Sequence, residues 1–304
     1  MRFVTFRKRG KAASPRAGLL VGDGASPDDV VVDLAHPSMR PALGGVLPDM
    51  AAFFAAGFNS IRHGIIAHGL AEPARLPLGS VRLLAPLPAP NRIYGLAFNF
   101  TDALAERGMA HPAEPVLFMK KGSTVIGPGE AIVLPAAIGG VTYEAELAAV
   151  IGTRAERVSR AEALRHVAGY TIMNDVSASE MIRRDGTFDR GKNLPTFGPM
   201  GPYLATVDEI PDPQALTVRL DVDGRVLQDG TTSTMLFDLA ALIVFLSARA
   251  PLEPGDVIAT GTPAGVAPVR RPPTWLQPGT VVRAQVEGLG SLSNSVTEGA
   301  AFDG

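Results

Sequence analysis

The chain has 304 residues, enough for one large domain or a large and a small one, and a formal net charge of −2. That charge gives no broad positive surface for nucleic acid or an anionic membrane. There is no cysteine, which excludes disulfides, thiolate metal sites and a cysteine nucleophile. No apolar run reaches the roughly 18 residues of a membrane span, and MRFVTFRKRGK is not followed by the apolar segment of a signal peptide. We therefore expect a soluble cytoplasmic protein.

Residues 1–85 are predicted to form a small N-terminal α+β module. MRFVTF, AGLLVGD and DVVVDLA are short β-prone runs separated by turn residues, and DMAAFFAAG predicts a helix that ends at Gly57. LLAPLPAPNRI carries three prolines and is typical of a connector. The sequence therefore predicts a second, larger catalytic domain over residues 92–304.

The larger region alternates apolar and polar residues in several predicted strands. Ser159 and Glu162 predict a capping box at a short helix, and Asp223-Gly224 predicts the turn of a hairpin in LTVRLDVDGRVLQDG. TMLFDLAALIVFLSARA predicts a core helix whose apolar stripe begins at Leu236. Many strands and few helices, without a regular strand–helix alternation, predict an α+β fold that is mostly β.

Two glutamates stand in the β-prone segment VTYEAELAAVIG. In a strand, Glu144 and Glu146 would share one face and lie roughly 6.6 Å apart. Two ionised carboxylates at about 6 Å, with an effective dielectric of ~20, repel by roughly 3 kcal/mol. Exposure to water, protonation of one acid or a bound cation would each relieve that repulsion. The apolar run that follows favours burial.

A third acid ends another β-prone run, GYTIMNDVSASE. Asp175 follows Glu146 by roughly 30 residues, which is enough chain to leave the first strand and return beside it. Three carboxylates around Mg²⁺ or Mn²⁺ would leave about three of six coordination positions open, as a catalytic metal requires. All-oxygen ligands suit Ca²⁺ as well.

Five segments carry a resemblance to a known family. YEAELAAVIG, GYTIMNDVSAS, RGKNLPTFGPMGPYL, LEPGDVIATGTPAGV and GLGSLSNSV stand in an order and spacing similar to those of the fumarylacetoacetate hydrolase family, from Arg92 to Val296. The leading module resembles the N-terminal part of longer bacterial members. The resemblance implies a mixed β-sandwich roll, a homodimer, and Mg²⁺ or Mn²⁺ at its mouth, with Ca²⁺ as a substitute in crystals.

The resemblance also implies roles for particular residues. It assigns the metal to Glu144, Glu146 and Asp175, and the substrate to Lys120, Lys192 and Thr262. In the mechanism so implied, a 2-oxo acid or 1,3-diketone chelates the metal, and the cation stabilises an enolate. Lys192 places a second positive charge beside that enolate or the substrate carboxylate, which makes it a predicted catalytic residue.

The segment NFTDALAE departs from the family pattern. Asn99, Phe100 and Glu106 fit, but Ala103 stands where many members have the histidine that helps to activate water. A general base contributes about 10²–10⁴-fold to such a step. We expect Glu106 to act as the base alone, with His111 in the adjacent loop as the alternative.

DVSASE departs as well, because Ser179 replaces a frequent arginine. Arg183 lies one helical turn later and is the predicted substitute for that charge.

Three functions stay open. The first is metal-dependent hydrolysis of a C–C bond in a diketo acid or acylpyruvate, and the second is enol–keto isomerisation or decarboxylation of an oxaloacetate-type 2-oxo acid. The third is a non-catalytic binding protein on the same scaffold. The intact acidic triad argues against the third.

Overall fold

The computed structural model describes residues 1–10 and 14–301. Its strands, in chain order, are β1 (Arg2–Lys8), β2 (Arg16–Val21), β3 (Val30–Asp33), β4 (Arg75–Pro77), β5 (Val81–Leu84), β6 (Ile93–Ala97), β7 (Val116–Lys120), β8 (Val125–Ile126), β9 (Ile132–Ala136), β10 (Val141–Thr142), β11 (Ala145–Ile151), β12 (Val167–Asn174), β13 (Ser177–Ala178), β14 (Gly198–Thr206), β15 (Thr217–Val222), β16 (Arg225–Thr231), β17 (Val257–Ala259), β18 (Val281–Val286) and β19 (Ser291–Ala301). The α-helices are α1 (Arg40–Leu43), α2 (Met50–Ala56), α3 (Phe58–His68), α4 (Thr101–Glu106), α5 (Arg160–Ala163), α6 (Ser179–Asp185), α7 (Asp189–Lys192) and α8 (Leu239–Ser247).

Twelve of these strands form one large sheet. Its main order is β4-β3-β2-β1-β14-β12-β11-β17-β6-β7, while β5 pairs with β1 and β8 with β14. A second sheet has the order β16-β15-β18-β19-β9, and β10 pairs with β13. Because Phe3 of β1 pairs with Leu204 of β14, residues 1–85 share the large sheet with the rest of the chain. Their division into a module and a domain stays a prediction.

The central strand β11 is buried on both faces. Leu147 belongs to one apolar cluster with Val218 and Val282 of the second sheet. Val150 belongs to another cluster, with Phe58 of α3 on the opposite side. A strand that is covered on both faces needs apolar side chains on both, which explains the nearly continuous apolar sequence AELAAVI. The predicted fold class, α+β and mostly β, is confirmed.

Two local predictions agree with the structure: the end of a helix at Gly57 and a hairpin turn at Asp223-Gly224. The helix α2 starts after Asp49, whose Oδ1 accepts the N–H of Ala52 at 2.8 Å, and it ends at Gly57 as predicted. The hairpin of β15 and β16 turns at Asp223 and Gly224, both with positive φ, which is also as predicted.

Two predicted details are wrong. The Ser159 hydroxyl donates to the Glu162 carboxylate at 3.1 Å and caps no backbone N–H, so the predicted capping box does not form. Leu236 lies outside α8, because Asp238 caps that helix and starts it at Leu239.

No helix in the described part of the chain is long and apolar enough to cross a membrane.

Candidate active site

Glu146 is a predicted metal ligand on a buried strand. It lies on β11, paired with Met173 of β12, and is 1% exposed. Its Oε2 accepts the N–H of Gly261 at 3.0 Å. Its Oε1 is buried and has no hydrogen-bond partner among residues 1–10 and 14–301. A buried carboxylate oxygen without a partner is costly, so this atom is suited to a ligand.

Glu144 lies one residue before β11. The prediction that Glu144 and Glu146 lie on one strand is therefore wrong. Its position is nevertheless fixed by the end of β12. The N–H of Glu144 donates to Oδ1 of Asn174 at 2.9 Å, and its carbonyl accepts the N–H of Asp175 at 2.9 Å. These two bonds join the end of β12 to the start of β11.

The structure brings the three acids into one cluster. One carboxylate oxygen from each of Glu144, Glu146 and Asp175 lies within 4.8 Å of the others. Asp175 directly follows β12, the antiparallel neighbour of β11, so the chain returns beside the first strand as expected. The geometry is that of a site able to hold a divalent cation.

Lys192, the last residue of α7, contacts two of the acids. Its Nζ lies 2.8 Å from Oε2 of Glu144 and also contacts Oδ2 of Asp175. The ammonium stands 4.7 Å from the ring centroid of Phe118. Lys192 is therefore fixed from both sides, and it also lines the adjacent cavity.

Lys120 is placed differently from the prediction that it faces the substrate. Its Nζ forms an ion pair with Oδ1 of Asp175 at 2.8 Å and donates to the carbonyls of Val176 and Lys192. The side chain is 1% exposed and lies behind Asp175, outside the cavity lining. Two hydrogen bonds and one ion pair engage its ammonium group within the protein, so its geometry suits support of Asp175.

Burial and charge shift the acids in opposite directions. Burial raises the pKa of Glu146 well above its usual range, and the charges of Asp175 and Glu144 add to that effect. Burial raises the pKa of Glu144 too, although Lys192 opposes it. Burial also acts against ionised Asp175, but Lys120 and Lys192 outweigh it and lower the pKa of that acid. Without a cation, Glu146 is the acid that holds a proton most readily.

The residues present fit a hard divalent cation. Three carboxylates and two ammonium groups leave one net negative charge in the cluster when all are ionised. A divalent ion would turn this into a net positive charge, which suits an anionic oxo acid. The partnerless Oε1 of Glu146 supplies the open ligand atom, and all-oxygen ligands are those that Mg²⁺, Mn²⁺ and Ca²⁺ accept.

A cavity of about 480 Å³ opens beside this cluster, a volume typical of small-molecule sites. Of the predicted site residues, Glu144, Lys192, Thr262 and Arg183 line it, whereas Glu146 and Asp175 lie beneath them. The cavity walls also include residues that sequence reasoning missed: Phe98, Arg107, Phe188 and Trp275. The one signal for Trp275 was that it is the only tryptophan of the chain.

The loop of Thr262 is held by a buried glutamine that the sequence did not single out. Gln228 donates from Nε2 to Oγ1 of Thr262 at 2.8 Å and to the carbonyl of Pro263 at 2.9 Å. Its Oε1 accepts the N–H of Ala145 at 2.9 Å, and Thr262 donates to the carbonyl of Ala145 at 2.8 Å. The loop of Thr262 is thereby tied to the strand that carries Glu146.

The predicted base Glu106 does not face the cavity. It is exposed at the end of α4, and its Oε2 accepts the N–H of Gly265 at 2.8 Å. Asp102, one turn earlier, accepts the N–H of Ala264 at 3.1 Å. Both acids therefore hold the loop that follows Thr262. Ala103 does line the cavity, as expected for the position of the missing histidine, but His111 is exposed and lies outside the lining.

The sequence matches the family described as fumarylacetoacetate (FAA) hydrolase C-terminal over residues 92–297. The chain belongs to the fumarylacetoacetate hydrolase family. A relative from Burkholderia multivorans, which carries the provisional name of a hydrolase, is 46% identical over 223 residues, covering 72% of this chain and 79% of its own. The family also includes isomerases among the solved structures that resemble this one.

Two solved structures illustrate that range. Fumarylacetoacetate hydrolase from Exiguobacterium antarcticum is 33% identical, with a TM-score of 0.82, and the match covers 98% of this chain and 100% of that one. The 2-hydroxyhepta-2,4-diene-1,7-dioate isomerase from Mycobacterium marinum is 32% identical, with a TM-score of 0.76 and 98% of each chain covered. Members of the fumarylacetoacetate hydrolase family are thus similar to this enzyme along nearly its whole length.

Proposed function

We propose that this enzyme binds a 2-oxo or 1,3-diketo acid at a divalent cation held by Glu144, Glu146 and Asp175. The observation that carries the proposal is the buried, partnerless Oε1 of Glu146 beside two further carboxylates. When bound, Mg²⁺ or Mn²⁺ would supply positive charge to the substrate oxygens as an enolate develops. The fumarylacetoacetate hydrolase family supports the same substrate class.

The proposal gives each lysine a separate role. Lys192 reaches the cavity and offers its ammonium to the enolate or to the carboxylate of the substrate. Lys120 keeps Asp175 ionised and in place from behind. Thr262, held by Gln228, and Arg183 line the cavity and are proposed to bind the substrate carboxylate.

Hydrolysis of a C–C bond in an acylpyruvate-type acid is the first candidate reaction. In it, water adds to the carbonyl remote from the carboxylate, the C–C bond breaks, and pyruvate leaves as its enolate and is protonated. The hydrolase names of the Burkholderia multivorans relative and of the Exiguobacterium antarcticum structure support this reaction. It needs a base for water, and Glu106 would have to leave Gly265 to serve as one.

Enol–keto isomerisation, or decarboxylation of an oxaloacetate-type acid, is the second candidate. The methyl group of Ala103 on the cavity wall and the engagement of Glu106 by Gly265 favour it, since neither reaction needs activated water. The similarity to a named isomerase from Mycobacterium marinum also supports it. From the family resemblance alone, we propose that the enzyme works as a cytoplasmic homodimer.

Three assays of the purified enzyme test the proposal: acetylpyruvate hydrolysis, oxaloacetate decarboxylation and ketonisation of a 2-hydroxy-dienoate. We expect turnover in at least one assay, loss of that turnover in EDTA, and recovery with Mg²⁺ or Mn²⁺. Full activity in EDTA would refute the metal-dependent mechanism. Hydrolysis at ordinary enzyme rates would select the first candidate, whereas ketonisation or decarboxylation without hydrolysis would select the second.

A further inference from the structure

Three aromatic rings form one row, the aromatic wall, beside the active site; Phe98 and Phe188 line the cavity, and Phe118 lies outside its lining. The ring centroids of Phe98 and Phe188 are 6.4 Å apart, and those of Phe188 and Phe118 are 5.2 Å apart. A cation stands at each end of this row. Lys192 lies over Phe118, with Nζ 4.7 Å from the ring centroid, and the guanidinium carbon of Arg107 lies 5.7 Å from the centroid of Phe98.

The two cations differ in what already neutralises them. Lys192 is paired with Glu144 and Asp175. Arg107 is half-buried and lines the cavity, and its guanidinium forms no ion pair or hydrogen bond with another residue in the described part of the chain. An arginine held against a ring keeps its planar fork oriented, which favours two-point binding of a carboxylate.

We propose that Arg107 is a specificity-determining residue, which binds a second carboxylate of the substrate at the opposite end of the aromatic wall from Lys192. The enzyme would then prefer dicarboxylic oxo acids to monocarboxylic acids with an apolar end. The rings of Phe98 and Phe188 would contact the carbon chain between the two charged ends. This inference rests on the proposed function, because the first carboxylate must be the one at the acidic cluster.

Other charged residues of the cavity do not provide the same site. Arg183 lines it too, but this arginine is exposed, and Glu180 of the same helix places a negative charge in the lining. Arg107 is also within electrostatic reach of Glu144, where it opposes the effect of burial on the pKa of that acid. Binding of the first carboxylate by Arg107 is therefore the competing outcome that the test must separate.

The test compares two ligands that differ only at the remote end, 2-oxohexanedioate and 2-oxohexanoate, by calorimetry in the presence of Mg²⁺. We expect the wild type to bind the dicarboxylate roughly 10- to 100-fold more tightly, as for hydrogen bonds to a charged group. Arg107→Gln should abolish this preference and leave the binding of oxalate unchanged. Arg107→Lys should keep part of it, because lysine retains the charge but not the fork.

Arg249→Gln is the matched control. Arg249 also stacks on a ring, 3.3 Å from the centroid of Phe245, but it lies outside this cavity, so its loss should change neither affinity. Equal binding of the two acids by the wild type would overturn the inference. Equal weakening of both acids by Arg107→Gln would also overturn it. If neither these acids nor oxalate bind in a Mg²⁺-dependent manner, the proposed function fails and the inference fails with it.

Discussion

The ammonium of Lys192 lies 2.8 Å from the carboxylate of Glu144, and the same Nζ atom contacts Asp175. One lysine therefore links two of the three clustered acids, while Glu146 is left without such a partner on Oε1. Burial acts to lower the pKa of Lys192, but the surrounding carboxylates outweigh it and raise that pKa. Lys192 therefore holds its proton more tightly than a free lysine does.

The first prediction concerns Glu146. Glu146→Gln keeps the shape of the side chain but removes its negative charge, so we expect at least a tenfold loss of Mg²⁺ or Mn²⁺ affinity and loss of turnover. Because burial already raises the pKa of Glu146, a neutral side chain should not lower the melting temperature of the metal-free protein. Calorimetric titration with Mn²⁺ and thermal melts in EDTA measure both effects, with exposed Glu298→Gln as the control. Unchanged Mn²⁺ affinity would exclude Glu146 as a ligand.

The second prediction is a pH dependence of stability without metal. The pKa of Glu146 in the folded protein is raised well above the ordinary 4.5, so the folded state binds this proton more tightly than the unfolded chain does. Its contribution to stability is complete below about pH 4.5 and is lost as pH rises through the folded-state pKa. The increase in melting temperature caused by Mg²⁺ should therefore grow from pH 5 to pH 8.

Glu146→Gln supplies the control for that measurement. In this variant the metal-free protein should lose the part of its pH dependence that comes from Glu146, and added Mg²⁺ should have little effect at any pH. A wild-type Mg²⁺ effect that is constant from pH 5 to pH 8 would contradict the prediction.

Much of the acidic cluster was accessible from the sequence, and the residues around it were not. The period-two spacing of the glutamates and the return of the chain after about 30 residues were enough to predict that Glu146 and Asp175 lie close together. The same spacing could not show that the strand starts after Glu144, where the backbone N–H donates to Asn174 and the carbonyl accepts the N–H of Asp175. A local pattern reports which face a side chain occupies, but not which contacts end the strand.

The two lysines and the aromatic wall show a different limit. Lys120 lies at the end of strand β7, and only the three-dimensional arrangement shows that Asp175 and two carbonyls contact its ammonium group. Phe98, Phe118 and Phe188 come from three separate segments. They meet because β6 pairs with β7 and α7 packs on β7, which no single-sequence pattern encodes.

The third prediction separates the two lysines. Lys120→Met removes one of the two cations that neutralise fully buried Asp175, so we expect a loss of stability of about 3 kcal/mol. Lys192→Met removes the other cation, which also pairs with Glu144 and reaches the cavity, so we expect a similar loss of stability and, in addition, a fall in kcat of at least 100-fold. Urea unfolding and steady-state kinetics measure the two effects. Retention of kcat in Lys192→Met would contradict the role of this lysine at the substrate.

The fourth prediction tests whether Glu106 transfers a proton or holds a loop. Glu106→Gln keeps an acceptor for the N–H of Gly265, so a loop anchor should survive this change with kcat/KM within a few-fold of wild type. A general base should lose about 10²–10⁴-fold in the same variant. Glu106→Ala removes the acceptor, and we expect it to lower kcat/KM under either role. We expect the anchoring result, because Glu106 is exposed and lies outside the cavity lining.

The fifth prediction restores the missing base. Ala103 lines the cavity on the buried side of α4, so Ala103→His would place an imidazole where water could reach both it and the substrate. If hydrolysis is limited by the lack of a base, this variant should raise acetylpyruvate hydrolysis by up to about 100-fold, with a dependence on the pKa of the new imidazole near 6.5. Ala103→Asn adds a polar side chain of smaller size that cannot accept a proton, and it should give no such increase. A contrary result is a wild type that already hydrolyses acetylpyruvate at ordinary enzyme rates, with Ala103→His no faster. That result would show that hydrolysis does not lack a base because of Ala103.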